Sequence, residues 1–162
     1  MKVIIADNNE IVRVGLRTIL SSEESFEIVG EVKTSEELEE QVGNFEVDVV
    51  LIDYTSDFFN IDIIPKILNN HKAVRFVAIT PEQSANTLVD ALRSGVMSYV
   101  KKDCSIGEIL SAIKETSSGN KFFCGQILET IQRAAIDVED IDFDSFSCEP
   151  VALSERELEI IT

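Results

Sequence analysis

The chain has 162 residues, 44% of them hydrophobic, and a formal charge of -16 at neutral pH. That length suits one domain with an extension, and that apolar content suits a buried core. The acidity argues against nucleic-acid binding by this stretch alone, since phosphate contacts need clustered Lys and Arg. No apolar run approaches the ~20 residues of a membrane span.

The start, MKVIIADNN, lacks the long apolar segment and small-residue cleavage site of a signal peptide. Three scattered cysteines, Cys104, Cys124 and Cys148, lack metal-ligand spacing and read as reduced thiols serving as small hydrophobes in a cytoplasmic protein. From residue 2 onward, strand-like and helix-like segments alternate. An apolar strand over 2–6 precedes a helical face of Val12, Leu16, Ile19 and Leu20. FEIVGEV at 26–32 reads as a strand that carries Glu27 and Glu31, which suits a sheet edge. Thr34 and Glu37 then read as a capping box. VVLI makes the strand at 48–52 nearly continuously apolar, and Ile63, Ile64, Ile67 and Leu68 share the next helical face. RFVAI lies in a strand at 74–79, followed by a helix presenting Ala85, Leu88, Val89 and Leu92. The strand at 97–101 is short and mixed, again as at an edge. Ser105 and Glu108 form a second capping box before Ile106, Ile109, Leu110 and Ile113.

Five strand–helix repeats predict a doubly wound α/β fold with a parallel sheet. Two polar-marked strands at the edges and three apolar ones inside match the flavodoxin-like order 2-1-3-4-5. A sixth helix over 125–135 follows, with Leu128, Ile131 and Ala135 on one side. Residues 136–150 are acidic, hold no Lys or Arg, and read as a linker. LSERELEIIT then opens another helix, with Ser154 and Glu157 as its capping box and Leu158 and Ile161 on one face.

Two central strands end alike, in VIIAD and VVLID, so Asp7 and Asp53 close the strands that flank the switch point, where ligands bind in such sheets. Neither a GxGxxG nor a GxxxxGK[ST] motif is present, and Asp7, Asn8, Asn9 and Glu10 repel anions rather than cradle them. Oxygen donors completed by water suit a hard cation, Mg²⁺. A carboxylate beside such a cation is able to take a phosphoryl group as an acyl phosphate. Thr80 and Lys102, at two further strand ends, offer a hydroxyl and a point charge to it. Each residue has a plainer reading, an Asp as helix N-cap, a Thr before Pro81 in a turn, a Lys solvated at an edge.

Together these residues resemble the receiver domain of two-component response regulators, of the NarL/FixJ type with a LuxR-type helix-turn-helix. The resemblance covers 1–118 as receiver. GNKFFCGQILETI, within 119–135, is similar to that subfamily's helical extension, and 151–162 to the opening of its DNA-binding domain, incomplete here. It implies that Asp53 is the phosphoacceptor, that Thr80 and Lys102 grip the phosphoryl group, and that Thr80 and Tyr99 form the switch. It implies Mg²⁺ held by Asp7, Asn8, Asp53 and the backbone carbonyl of Thr55. It also implies a sensor histidine kinase as phosphodonor, a homodimer, DNA contact only through the missing C-terminal part, and a protein that is not a turnover enzyme.

Three positions depart from the family pattern. Asn8 stands where a second carboxylate is usual, Pro81 has no N–H to donate, and DYTSDFFNID lacks the usual Met-Pro after the phosphoacceptor. The alternatives are an atypical receiver acting as a dimerisation or docking module, a haloacid-dehalogenase-like phosphatase (Thr55 stands where its second Asp would be), and a flavodoxin. Asp57 reads as a loop cap, His71 as a solvated helix end, and Tyr54 as a residue that shapes access or packs.

Overall fold

A computed structural model of the protein describes residues 1–133. The expectations for 136–150 and 151–162, with Ser154 and Glu157, lie outside the described residues. So do the side chain of Ile131 and all of Ala135. The elements run β1 (Lys2–Ala6), α1 (Glu10–Ser21), β2 (Glu27–Val32), α2 (Ser35–Asn44), β3 (Val49–Ile52), α3 (Ile63–Asn70), β4 (Arg75–Thr80), α4 (Ala85–Ser94), β5 (Val96–Lys101), α5 (Ile106–Ser117) and α6 (Gly125–Arg133). All five strands are parallel, in the order β2-β1-β3-β4-β5. Predicted strand ends agree to within one residue.

The apolar strands lie where their composition places them. Every residue of β3 is buried, as are Val3 to Ala6 in β1 and Phe76 to Thr80 in β4. With helices on both faces, no side of these strands meets water, so no alternation is needed. Edge strand β2 is only partly buried, and its Glu31 takes a bidentate pair from Arg17 of α1 at 2.6 and 2.9 Å. This edge carries charge, which discourages pairing with another chain.

The other edge is β5, as its mixed composition suggests, but this edge is covered. β5 is largely buried because the strip before α6 lies against it. The Tyr99 amide donates to the Phe122 carbonyl at 3.0 Å, the Cys124 amide donates to the Tyr99 carbonyl at 3.4 Å, and Tyr99 and Phe123 form a parallel bridge. Buried Ser98 holds the same strip, accepting from the Phe122 amide at 2.9 Å. GNKFFC thus finishes the sheet edge before the helical extension starts.

Helix starts follow local chemistry. Ser105 and Glu108 form the full capping box of α5. At α2 the box is displaced. Thr34 accepts from the Glu37 amide as expected, but Glu37 reaches the Lys33 amide, at 2.7 Å, in place of that of Thr34. Asn9 caps α1 through the Val12 amide, which leaves Asp7 free of capping. α4 ends on Gly95 at φ 118°, where an added Cβ would stand 2.4 Å from Leu68 Cδ1. Gly95→Ala therefore meets backbone strain and a clash together. It is expected to lower unfolding free energy by about 2 kcal/mol, read as a reduced urea midpoint at unchanged slope.

Candidate functional site

At the carboxyl end of the sheet, β1 and β3 lie side by side, with Ala6 opposite Ile52. The next residue of each chain segment is an aspartate, so register alone brings Asp7 and Asp53 together. Both are 2% exposed. Each is oriented by its own backbone. Asp7 Oδ1 accepts from the Asn9 amide at 2.8 Å, and Asp53 Oδ1 accepts from the Thr55 amide at 2.9 Å and from the Thr55 hydroxyl. These are two Asx turns, one per strand end, and each ties down one oxygen while aiming the other into the same space.

The two free oxygens meet Lys102. Its Nζ lies 2.6 Å from Asp53 Oδ2 and 3.0 Å from Asp7 Oδ2. Lys102 is held by its own amide, which donates to the Thr80 carbonyl at 2.8 Å and fixes the turn after β5. Burial works against the ammonium, but its bonds to Asp53 and Asp7 outweigh that and raise its pKa above the ordinary 10.5. The pocket around this triad is open to solvent, and Asn8, Thr55, Ser56, Asp57 and Pro81 also line it. An all-oxygen donor set, with two carboxylate oxygens close enough to share one ammonium, fits a hard cation such as Mg²⁺.

Thr80 and Tyr99 belong to a second layer. Thr80 is fully buried and does not line the pocket. Its hydroxyl lies 2.8 Å from the Tyr99 hydroxyl and donates to the Pro81 carbonyl, also at 2.8 Å. Sequence reasoning expects this hydroxyl to face the carboxylates, but a buried hydroxyl goes to the nearest partners, which here are Tyr99 and the Pro81 carbonyl. Tyr99 is fully buried.

Tyr54 was not resolved by the sequence. Its hydroxyl is 2.8 Å from that of Tyr99 and donates to the Thr87 carbonyl of α4 at 3.3 Å. The two rings meet edge to face, centroids 6.2 Å apart. Burial raises the pKa of both phenols, so both stay neutral and able to donate. Hydroxyl contacts thus lead from Pro81 past Thr80, Tyr99 and Tyr54 to α4, with the single Tyr99 hydrogen serving either Thr80 or Tyr54. Ser56 was also missed. It bonds the Asp53 carbonyl at 2.9 Å and accepts from the Asn8 amide at 3.4 Å, which joins the two loops. Arg13, buried, donates to the Asp7 carbonyl at 2.7 Å. No strand or helix period marks these residues, because their polar partners lie in loops and on α4 as well as on other strands.

Residues 3–114 match the family described as the response regulator receiver domain. Response regulator VraR of Staphylococcus saprophyticus is 28% identical over 129 residues, which cover 79% of this chain and 62% of that protein. Response regulator UvrY of Escherichia coli K12 is 26% identical over 162 residues, 99% of this chain and 72% of UvrY. A solved structure of RcsB from Salmonella typhimurium superposes with a TM-score of 0.77 at 23% identity, covering 83% of this chain and 67% of that one. A LuxR-family response regulator from Aurantimonas gives the same TM-score at 22% identity, over 84% of this chain and 98% of its own. The chain thus spans somewhat under two thirds of VraR and somewhat over two thirds of UvrY. Among the described residues, no helix is long and apolar enough to cross a membrane.

Proposed function

The chain belongs to the response regulator receiver family of two-component signalling, and from that premise we propose that it takes a phosphoryl group onto Asp53 in a Mg²⁺-dependent step. The observation that carries this reading is the convergence of Asp53 Oδ2, Asp7 Oδ2 and Lys102 Nζ in one open pocket. Asp7, Asn8, Asp53 and the Thr55 carbonyl would hold Mg²⁺, which supplies neutralisation of the crowded phosphoryl oxygens.

The residues divide the remaining work. Asp53 Oδ1 is committed to Thr55, so Oδ2 is the attacking oxygen. It forms a bond to phosphorus as the bond to the donor, a sensor histidine kinase in this reading, breaks. Lys102, already against Oδ2, turns to the phosphoryl oxygens without travelling far. Thr80 leaves the Pro81 carbonyl to meet the same group. Tyr99 and Tyr54 then lose or remake the hydroxyl chain that reaches α4, so the charge event biases the face of α4, β5 and α5. Through that face the receiver is proposed to pair with a second copy and control a C-terminal DNA-binding part. RcsB, which shares this fold, has a structure of two dimers bound to DNA.

A second reading is favoured by Pro81, which has no N–H for a phosphoryl oxygen, and by Asn8, which lacks a charge. In it the domain is an atypical receiver that docks a partner without being phosphorylated. The experiment that separates the two is incubation of the whole chain with a small acyl phosphate. The first reading expects labelling with Mg²⁺ and none with chelator. The second expects none in either case.

The missing charge also sets metal affinity. Asn8→Asp adds a carboxylate to the same pocket and is expected to tighten Mg²⁺ binding about tenfold, equivalent to about 1.4 kcal/mol. Isothermal titration calorimetry reads this directly. An unchanged dissociation constant would place the ion away from residue 8.

A further inference from the structure

Cys104 and Cys124 are twenty positions apart in sequence and adjacent in space. The reason is topological. β5 ends at Lys101 and turns, with the Cys104 amide donating to the Lys101 carbonyl at 3.0 Å. The strip at 122–124 runs parallel to β5 and places Cys124 beside that turn. The two sulfurs and a Glu108 carboxylate oxygen all lie within 4.8 Å of one another. Both thiols are free, and they are 8% and 0% exposed. The phosphoryl reading uses neither.

We propose that Cys104 and Cys124 form a reversible disulfide with a small peroxide as oxidant, fastening the start of α6 to the turn that carries Lys102. The sulfurs, within 4.8 Å of one another, have to close to the S–S bond length of about 2 Å. Burial selects the oxidant, because hydrogen peroxide is hardly larger than water whereas a bulky disulfide would not reach either sulfur.

The two thiols are not equivalent. Cys124 begins α6, where the Ile127 and Leu128 amides turn toward its carbonyl at 3.0 and 3.1 Å. Donation from the Cys104 thiol lowers the Cys124 pKa against the effects of burial and of Glu108, and raises that of Cys104, where burial and Glu108 act in the same direction. Cys124 is therefore the attacking sulfur and Cys104 the resolving one. Cys124 gives up its proton and takes one oxygen of peroxide as the O–O bond breaks, and the departing hydroxide leaves as water. The Cys104 sulfur then displaces the hydroxyl from Cys124, which leaves as a second water as the S–S bond forms. Two thiols are oxidised and one peroxide is reduced. This proposal does not depend on phosphorylation of Asp53.

The test is thiol counting on the whole chain after dilute hydrogen peroxide, with alkylation in denaturant and peptide mapping. The free-thiol count is expected to fall from the three of the sequence to one, Cys148. A Cys104–Cys124 peptide should appear, and dithiothreitol should restore all three. Cys104→Ser should stop at a sulfenic acid on Cys124 that dimedone traps. Amide exchange of Ile127 and Leu128 should slow about tenfold in the oxidised chain. Independent conversion of each thiol to sulfinic acid would overturn the proposal, as would linkage through Cys148 between chains. So would one zinc ion per purified chain protecting the pair from peroxide, since that would make Cys104, Cys124 and Glu108 a metal site instead.

Discussion

Lys102→Met lowers the stability of the metal-free protein by about 2–3 kcal/mol at neutral pH. The methionine keeps most of the volume of the stem, so the loss is electrostatic. Asp7 and Asp53 are 2% exposed, and their free oxygens share one ammonium. Without it two like charges face each other with little water between them and repel. Breaking a fully buried pair costs about 3–5 kcal/mol. The Lys102 side chain is 23% exposed and the pocket is open, so the lower figure applies. Mg²⁺ should return most of the loss, because a cation between the carboxylates does what the ammonium did. Urea unfolding of both proteins with and without Mg²⁺ reads this as four midpoints. The pH dependence has a definite sign. The folded pKa of Lys102 is raised above 10.5, so its contribution is complete below pH 10.5 and is lost as pH climbs through the raised value. The gap between wild type and variant should close at that end of the scale. Equal midpoints at neutral pH would mean the carboxylates are solvated and the triad is not formed.

Asp53→Asn removes phosphoryl labelling altogether. Asparagine has the same shape, and its side-chain oxygen still accepts from Thr55 as Oδ1 does now. Lys102 keeps Asp7 as a partner at 3.0 Å. The fold is thus expected to survive, and the loss is specific to the nucleophile, since a neutral amide does not attack phosphorus. Asp57 lines the same pocket and is the internal control. It sits in the loop after β3 rather than on the strand end, so Asp57→Asn should leave labelling within about twofold of wild type. Retained labelling in Asp53→Asn would move the acceptor elsewhere.

The legible part of this protein was the part written in local pattern. VIIA, VVLI and FVAI are buried on both faces and therefore read as unbroken apolar runs, which placed three strands inside the sheet and left two for its edges. Once the order is known, VIIAD and VVLID put two carboxylates at one strand end with no further information. Lys102 followed from the end of β5 in the same way. What pattern does not encode is which partner a buried polar atom takes. Thr80 ends the expected strand, yet its hydroxyl goes to Tyr99 and Pro81, and Tyr54 completes the chain to α4. The displaced capping box at Lys33 and Glu37 is a choice between two amides one residue apart. GNKFFC carries no alternation that would mark it as pairing with β5, so the meeting of Cys104 and Cys124 was invisible until the fold joined them.

The central claim is a covalent phosphoryl group on one carboxylate, and the most direct measurement maps that carboxylate. The whole chain is incubated with Mg²⁺ and a small acyl phosphate, reduced with borohydride, which converts an aspartyl phosphate to homoserine, and sequenced by mass spectrometry. The account predicts homoserine at residue 53 alone and none when the metal is chelated. Reduction at residue 7 or 57, or at no aspartate while the protein is folded and loaded with Mg²⁺, would contradict it.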